Sequence, residues 1–264
     1  GLKNLAVYLK KYYVAIFISL LFAVAGSAIT VYSPDKVSEI TDLITQGILS
    51  GINMDKIKYF DHAATTAVDK EVLKEMLLYF NEEYGNPSSL YTIGRNAKKA
   101  IEKARKQVAF AISCNSKEIY FTGCGSESDN IAIKGIAYAN RDKGNHIITS
   151  KIEHPAILNT CKALEKDGFN VTYLDVDNDG LISLEDLKNK ITNKTILISV
   201  MFANNEIGTI QPIAEIAKIA NEKNIYLHTD AVQAFGKIPI DVKDLEVDLL
   251  TVSAHKIHGP KGVG

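Results

Sequence analysis

The sequence predicts an α/β protein in which helices flank a mostly parallel sheet. From residue 58 onward, apolar runs rich in β-branched residues alternate with stretches of helical period, and polar clusters follow several of the apolar runs. This alternation indicates βαβ units. The predicted strands are 118–121, 146–149, 171–174, 195–201, 225–229 and 248–252. The predicted helices are about 97–112, 127–139, 156–167, 184–192 and 212–223.

Length and composition exclude several function classes. The 264 residues suffice for one large domain or two small ones, and the formal net charge of −1 gives no argument for a nucleic-acid partner. The three cysteines, Cys114, Cys124 and Cys161, are too few and too scattered for a disulfide framework or a zinc site. We therefore expect a reducing, cytoplasmic environment for the α/β part and no metal ligands.

The N-terminal residues have a different character. Residues 12–32 contain no charge and are long enough to cross a bilayer as a helix, and Lys3, Lys10 and Lys11 before them favour a cytoplasmic N-terminus. A signal peptide and a buried core helix are the competing interpretations. The sequence predicts a membrane helix at 12–32, with a polar linker behind it and a domain boundary between residues 56 and 57.

The sharpest chemical signal is SAHKIHGPKG at residues 253–262, directly after an apolar strand. Open α/β sheets bind ligands at the carboxyl ends of their strands, so Lys256 lies where a site is expected. A partly desolvated lysine amine there can form a Schiff base. The alternative is a solvated loop lysine, which most lysines are.

A second cluster, HTDAVQAFG, places Asp230 at the end of a strand and Gln233 three residues later. A carboxylate at that depth suits a buried pyridinium nitrogen. An ordinary helix N-cap is the alternative for Asp230.

The segment FTGCGSESDN, residues 121–130, reads as strand, glycine turn and helix. The pattern predicts that Ser126 caps the helix, with Asp129 completing a capping box. Free N–H groups at such a helix start can hold a phosphate, although an ordinary βα loop is the commoner explanation.

Two further clusters follow strands. His154, in KIEHPAIL, could stack on a planar ring or move a proton, or be an ordinary loop histidine. Asn204, Asn205 and Glu206 follow the strand TILISVM, and an amide there could bind a phenolate oxygen or a substrate carboxylate. Five polar clusters thus follow five predicted strands, and their convergence predicts a site for a ring, a phosphate and an amine.

From about residue 57 to residue 264 the chain resembles the NifS-like cysteine desulfurases, in the class V aminotransferase group of fold-type I pyridoxal 5'-phosphate (PLP) enzymes. The matching motifs, in order, are YFDHAATT, GNPSS, FTGCGSESDNIAIKG, HIITSKIEHPAIL, NNEIGTIQPI, HTDAVQAFGKIPIDV and SAHKIHGPKGVG. The resemblance implies the large domain of such an enzyme. It also implies L-cysteine as substrate, desulfuration to alanine for iron–sulfur cluster assembly or thiolation, a sulfur-acceptor or scaffold protein, and a homodimer.

The same resemblance implies roles for individual residues. Lys256 would hold PLP as a Schiff base, and Lys256 or His154 would then move protons. Asp230 would pair with the pyridine nitrogen and His154 would stack over the ring. The remaining residues would bind the ring oxygen or substrate (Asn205, Gln233) or the phosphate (Gly125, Ser126, Ser253, His255). A selenocysteine lyase or another class V enzyme stays open as an alternative.

The chain departs from the family pattern in three places. Gly123 stands where the family commonly has Ser, and Tyr91 where it often has His. The sequence stops at Gly264, before the family's small C-terminal domain with its persulfide cysteine and carboxylate-binding arginine, and none of the three cysteines matches that position. We therefore expect an incomplete, inactive fragment that still binds PLP weakly.

Residues 1–56 resemble the start of an ABC exporter membrane domain. The resemblance rests on the lysine-flanked apolar run and on SPDKVSEITDLITQGILSGINMDKI. It indicates a fusion or an assembly artefact, and a membrane-domain fragment is therefore a third function class.

One motif resembles a calcium-binding loop but does not fit it at every position. Asp175, Asp177, Asp179 and Gly180 fit four positions of a calcium loop. Position twelve is Asp186 instead of Glu, and a strand precedes the loop where a helix belongs. The sequence therefore predicts an acidic turn between a strand and a helix.

Overall fold

Five parallel strands form one sheet in the order β2-β1-β3-β4-β5. The computed structural model describes residues 58–264, of which Asp61–Gly264 form one compact unit. The strands are β1 (His146–Ser150), β2 (Asn170–Leu174), β3 (Thr195–Ser199), β4 (Tyr226–Asp230) and β5 (Leu249–Thr251). The α/β class with a parallel sheet is confirmed.

Helices cover both faces of this sheet. The α-helices are α1 (Lys70–Asn81), α2 (Thr92–Ala111), α3 (Gly125–Ala139), α4 (Pro155–Lys166), α5 (Leu184–Lys190), α6 (Ile213–Glu222) and α7 (Val242–Leu245). Short 3₁₀ turns occupy Ser116–Glu118 and Ala254–Lys256.

The central strands are buried on both faces, which explains why they read as continuous apolar runs. Successive strand residues point to opposite faces, so Ile147 and Leu197 join the core beneath α3 and α4. Their neighbours Ile148 and Ile198 join the second core, beneath α5 and α6. All four side chains have no exposed surface.

Five of the six predicted strands exist, with ends shifted by up to two residues. The predicted strand at 118–121 is wrong. Asn115 and Glu118 form a capping box that turns residues 116–118 into a 3₁₀ helix. Tyr120 is 80% exposed, and the neighbouring strand needed to exploit its β-propensity is not formed within residues 58–264.

The predicted helices are also present, whereas α1, α7 and the N-terminal end of α2 were not predicted. Helix α1 begins after Asp69, whose side chain accepts the Glu71 N–H. None of its residues is buried. The acidic turn at 175–180 lies between β2 and α5, where Asp177 Oδ1 accepts the N–H groups of Asp179 and Leu181.

The predicted membrane helix at 12–32, the linker after it and the resemblance to an ABC exporter lie outside the described residues and stay predictions. Within residues 58–264, no helix is both long enough and apolar enough to cross a membrane.

Candidate active site

A cavity of about 460 Å³ opens at the carboxyl ends of the parallel strands. In chain order, β2 is added on one side of β1 and β3 on the other, which makes the β1–β3 gap the topological switch point where α/β sheets bind ligands. The cavity lining contains all nine predicted site residues: Gly125, Ser126, His154, Asn205, Asp230, Gln233, Ser253, His255 and Lys256. Four of the polar clusters follow strands as predicted, and the fifth begins α3 without a strand before it.

Lys256 ends the 3₁₀ turn after β5. Its Nζ donates to the carbonyl oxygens of Ala63 and Ala64, the latter at 2.9 Å. Burial and the positive charge of Lys237 lower the pKa of the Lys256 amine, and Asp61 and Asp230 oppose that shift. The neutral amine is the form of lysine that attacks a carbonyl carbon, and a lowered pKa increases its fraction.

Residues 61–67 cross the lysine motif as a strap, which we name the 61–67 strap. Gln233 Nε2 donates to the Ala63 carbonyl at 2.8 Å. Thr66 binds the carbonyl oxygen of His255 through both its N–H and its hydroxyl. These contacts join residues 170 and 189 positions apart, and sequence reasoning assigned the strap no role. Its part of the motif YFDHAATT was the available signal.

Asp230 closes the cavity at the end of β4 and is 6% exposed. Its Oδ1 accepts the Val232 N–H at 2.9 Å. Burial raises the pKa of this carboxyl above its ordinary value, and the Val232 hydrogen bond and the nearby His154 and Lys256 offset only part of that rise. The positive charge of Lys256, which favours the ionised form of Asp230, lies on the cavity side of the carboxyl group.

The start of α3 lines the cavity, although not as predicted. The helix begins at Gly125 after Cys124, so Ser126 lies inside the helix and is not its N-cap, and the proposed capping box with Asp129 is wrong. Asp129 is instead buried. A Cβ on Gly125 would lie 3.2 Å from Val232 Cγ2 and 3.3 Å from Ser253 Cβ, so a larger residue here would require these neighbours to shift by a few tenths of an ångström.

His154 and Asn205 complete the lining. The imidazole Nδ1 of His154 accepts the Ala156 N–H and caps α4, so the neutral ring carries its proton on Nε2. Asn204, by contrast, is buried and binds its own loop through the N–H groups of Glu206 and Ile207. Asn205, not Asn204, is therefore the amide available to a ligand.

Ser253 lies against the start of α3, and His255 lines the same cavity. Burial and the positive charges of Lys256 and Lys261 lower the pKa of His255, and its Nδ1 lies 3.0 Å from the Thr65 hydroxyl. Ser253 is 4% exposed, with its hydroxyl at the limit of hydrogen bonding to the Val263 carbonyl. Ser253 therefore lies where an anion at the helix start would be bound.

Comparison with known proteins agrees with this arrangement. The family model for aminotransferase class-V matches residues 58–264. The chain is 62% identical over 211 residues to the cysteine desulfurase IscS of Clostridium botulinum. The aligned segment covers 80% of this chain and 53% of the relative. IscS of Methanosarcina thermophila is 61% identical over 210 residues, covering 80% and 52%. A solved structure, SspA in complex with cysteine, superposes with a TM-score of 0.77 at 45% identity, covering 79% of this chain and 60% of SspA.

The chain belongs to the class V aminotransferase family, whose members are PLP enzymes. The chain spans about half the length of the curated relatives it matches.

Proposed function

We propose that the cavity binds PLP and that the protein acts as a cysteine desulfurase. The observation that carries the proposal is the meeting of the Lys256 amine, the buried Asp230 carboxylate and the start of α3 in one cavity. The two curated relatives described above are cysteine desulfurases, which supports the same assignment here.

The donor set fits PLP. A helix start with Gly125 offers free N–H groups to a phosphate, and the adjoining Ser126, Ser253 and His255 supply further polar groups. The buried Asp230 carboxylate suits a positively charged ring nitrogen, because a buried charge needs a partner.

When bound, PLP supplies an electron-withdrawing ring that stabilises negative charge developing on the substrate's α-carbon. Lys256 would hold the cofactor covalently, and its amine would be the group that moves a proton at the α-carbon. His154 would lie against the ring, with a proton on Nε2. Asn205 and Gln233 orient the ring oxygen or the substrate with their amides.

We propose L-cysteine as the substrate, with alanine as the carbon product and the sulfur passed to a cysteine thiolate as a persulfide. The relative SspA was solved with cysteine, which favours this amino acid over a selenium analogue. Cys161 is unsuited to accept the sulfur, because burial raises its pKa to about 12. A homodimer and an acceptor protein for iron–sulfur cluster assembly or thiolation complete the proposal.

Covalent capture tests the cofactor assignment. The chain is mixed with PLP, reduced with borohydride and digested, and the lysine carrying the phosphopyridoxyl group is located by mass spectrometry. We expect the label on Lys256 and its loss in Lys256→Ala. Lys261→Ala is the matched control, because Lys261 is an exposed lysine of the same loop outside the cavity lining. A label on Lys256→Ala equal to that on the parent chain would refute the assignment.

A second experiment tests the substrate. The PLP-loaded protein is titrated with L-cysteine, L-selenocysteine and L-serine, with dithiothreitol as thiol acceptor, and both the cofactor absorbance and the alanine formed are measured. We expect L-cysteine to change the absorbance of the cofactor, and any alanine formed identifies the carbon product. A response to L-selenocysteine alone would identify a selenocysteine lyase instead.

A further inference from the structure

Three acidic side chains come together at the buried end of the cavity. Asp129 lies on α3, Glu153 follows β1 and Asp230 ends β4, and their exposed fractions are 2%, 4% and 6%. In addition to burial, the negative charge of Asp230 raises the pKa of both Asp129 and Glu153, and that of Glu153 raises the pKa of Asp129. Only Asp230 lines the cavity.

Glu153 uses one of its two carboxyl oxygens. Oε1 accepts the Ser150 hydroxyl at 2.6 Å and the Met201 N–H at 2.9 Å. Oε2 is buried without a hydrogen-bond partner. Among residues 58–264, no lysine or arginine makes an ion pair with Glu153. A carboxylate in this position would be a buried charge that two neutral donors do not offset.

Asp129 is placed similarly. Its Oδ1 lacks a hydrogen bond and lies 3.7 Å from His228 Nε2. His228 lies between Ser199 Oγ at 2.9 Å and Thr251 Oγ1 at 3.0 Å. Burial lowers the pKa of this histidine to about 4, so it is neutral and does not form an ion pair with Asp129.

Asp230 differs from the other two carboxyls in its surroundings. It accepts a backbone N–H and faces the positive charge of Lys256 as well as His154. When carboxyl groups share a site, ionisation of one disfavours ionisation of the others, and the group nearest to positive charge keeps its own charge.

We propose that Asp129 and Glu153 are neutral carboxylic acids in the folded protein, and that by holding their protons they leave Asp230 as the one ionised carboxylate of the cluster. Both acids are positioning residues: they act through Asp230 and touch neither cofactor nor substrate. Burial raises the pKa of each to about 8, Asp230 adds to both shifts, and Glu153 adds to that of Asp129. If both acids ionised, their repulsion would drive a proton onto Asp230, which would lose its charge. The importance of that charge for a ring nitrogen rests on the proposed function, whereas the protonation states do not.

Infrared spectroscopy of the cofactor-free protein tests the protonation states directly. At pH 7, ordinary carboxyl groups are ionised, so a carboxylic-acid C=O stretching band reports only groups of raised pKa. We expect such a band, reduced in Glu153→Gln and in Asp129→Asn and retained in Asp230→Asn. A spectrum without a carboxylic-acid band at pH 7, or a band that disappears only in Asp230→Asn, would overturn the proposal. The parent chain alone gives the first of these answers, even if a variant fails to fold.

The pH dependence of the free energy of unfolding is a second test. A purely structural role of Glu153 would not change this pH dependence. Between the ordinary Glu pKa of about 4.3 and about 8, folded Glu153 holds a proton that the unfolded chain lacks, so stability falls as the pH rises. The folding constant of Glu153→Gln relative to the parent should therefore rise by up to about tenfold per pH unit, until about pH 8. The exposed Glu222→Gln is the matched control and should show a constant ratio. A pH-independent ratio for Glu153→Gln would refute the neutral acid. Because no cofactor is present, failure of PLP capture would leave this result intact.

Discussion

The hydroxyl group of Thr66 joins the 61–67 strap to the lysine motif. Thr66 is 3% exposed. Its Oγ1 donates to the His255 carbonyl at 2.8 Å and accepts the His258 N–H at 2.8 Å. The change Thr66→Val removes both hydrogen bonds and keeps the shape of the side chain, so its effect isolates the hydroxyl.

The two hydrogen bonds contribute unequally. The His255 carbonyl keeps the Thr66 N–H at 2.9 Å, so its loss is about 1 kcal/mol. The His258 N–H loses its partner, which costs about 1–2 kcal/mol. His258 has a φ of 62°, so its backbone already lies in the left-handed region. The added methyl group returns about 0.8 kcal/mol of apolar burial. We therefore expect Thr66→Val to lower the free energy of unfolding by about 1.5 kcal/mol, roughly tenfold in the folding constant.

Urea unfolding measures this loss, with Thr66→Ser as the matched control that keeps the hydroxyl. The rate of PLP capture by Lys256 should fall in Thr66→Val, because the strap supplies the carbonyls of Ala63 and Ala64 that hold the amine. A Thr66→Val chain as stable as the parent would show that the two hydrogen bonds of the hydroxyl do not hold the strap.

Three further predictions concern the cavity and the core. Lys237→Gln removes a positive charge that lowers the pKa of Lys256, so the pH midpoint of PLP capture should move upward, whereas Lys261→Gln should leave it in place; a downward shift would contradict the assignment. Asp230→Asn should release PLP about ten- to a hundredfold more readily, as measured by equilibrium dialysis, because a charged hydrogen bond contributes roughly 1.5–3 kcal/mol; unchanged retention would exclude an ionic partner on the ring nitrogen. Leu197→Ala should lower the free energy of unfolding by about 2–5 kcal/mol in urea, since Leu197 is fully buried, and a smaller loss would mean that the core collapses around the gap.

The sheet was predictable because its strands are buried on both faces. A strand such as β3, with Leu197 in one core and Ile198 in the other, appears in the sequence as an uninterrupted apolar run. The run at 118–121, EIYF, also contains residues of high β-propensity and is not a strand. Its backbone pairing begins only at Thr122, which exchanges two hydrogen bonds with Gly264. Composition reports propensity, whereas a strand also needs a neighbour.

The cavity lining was predictable for a related reason. Carboxyl ends of parallel strands meet at one edge, so residues such as His154, Asp230 and Lys256 are brought together once the strands are parallel. The 61–67 strap could not be found in this way, because its hydrogen bonds to Gln233 and His255 span most of the chain.

Depth below the surface was the property hardest to read from the sequence, and the neighbours Glu153 and His154 show why. Both follow β1 and both are polar, and sequence reasoning chose the histidine as functional and passed over the glutamate. In the structure His154 caps α4 from an exposed position, while Glu153 turns inward and takes the Met201 N–H. That bond lies where β3 has just ended at Ser199, so the glutamate replaces a sheet partner for the backbone beyond the strand. An acid recruited to satisfy buried backbone is made neutral chiefly by its burial. A residue can therefore influence the charge of a site without carrying a sequence signal of its own.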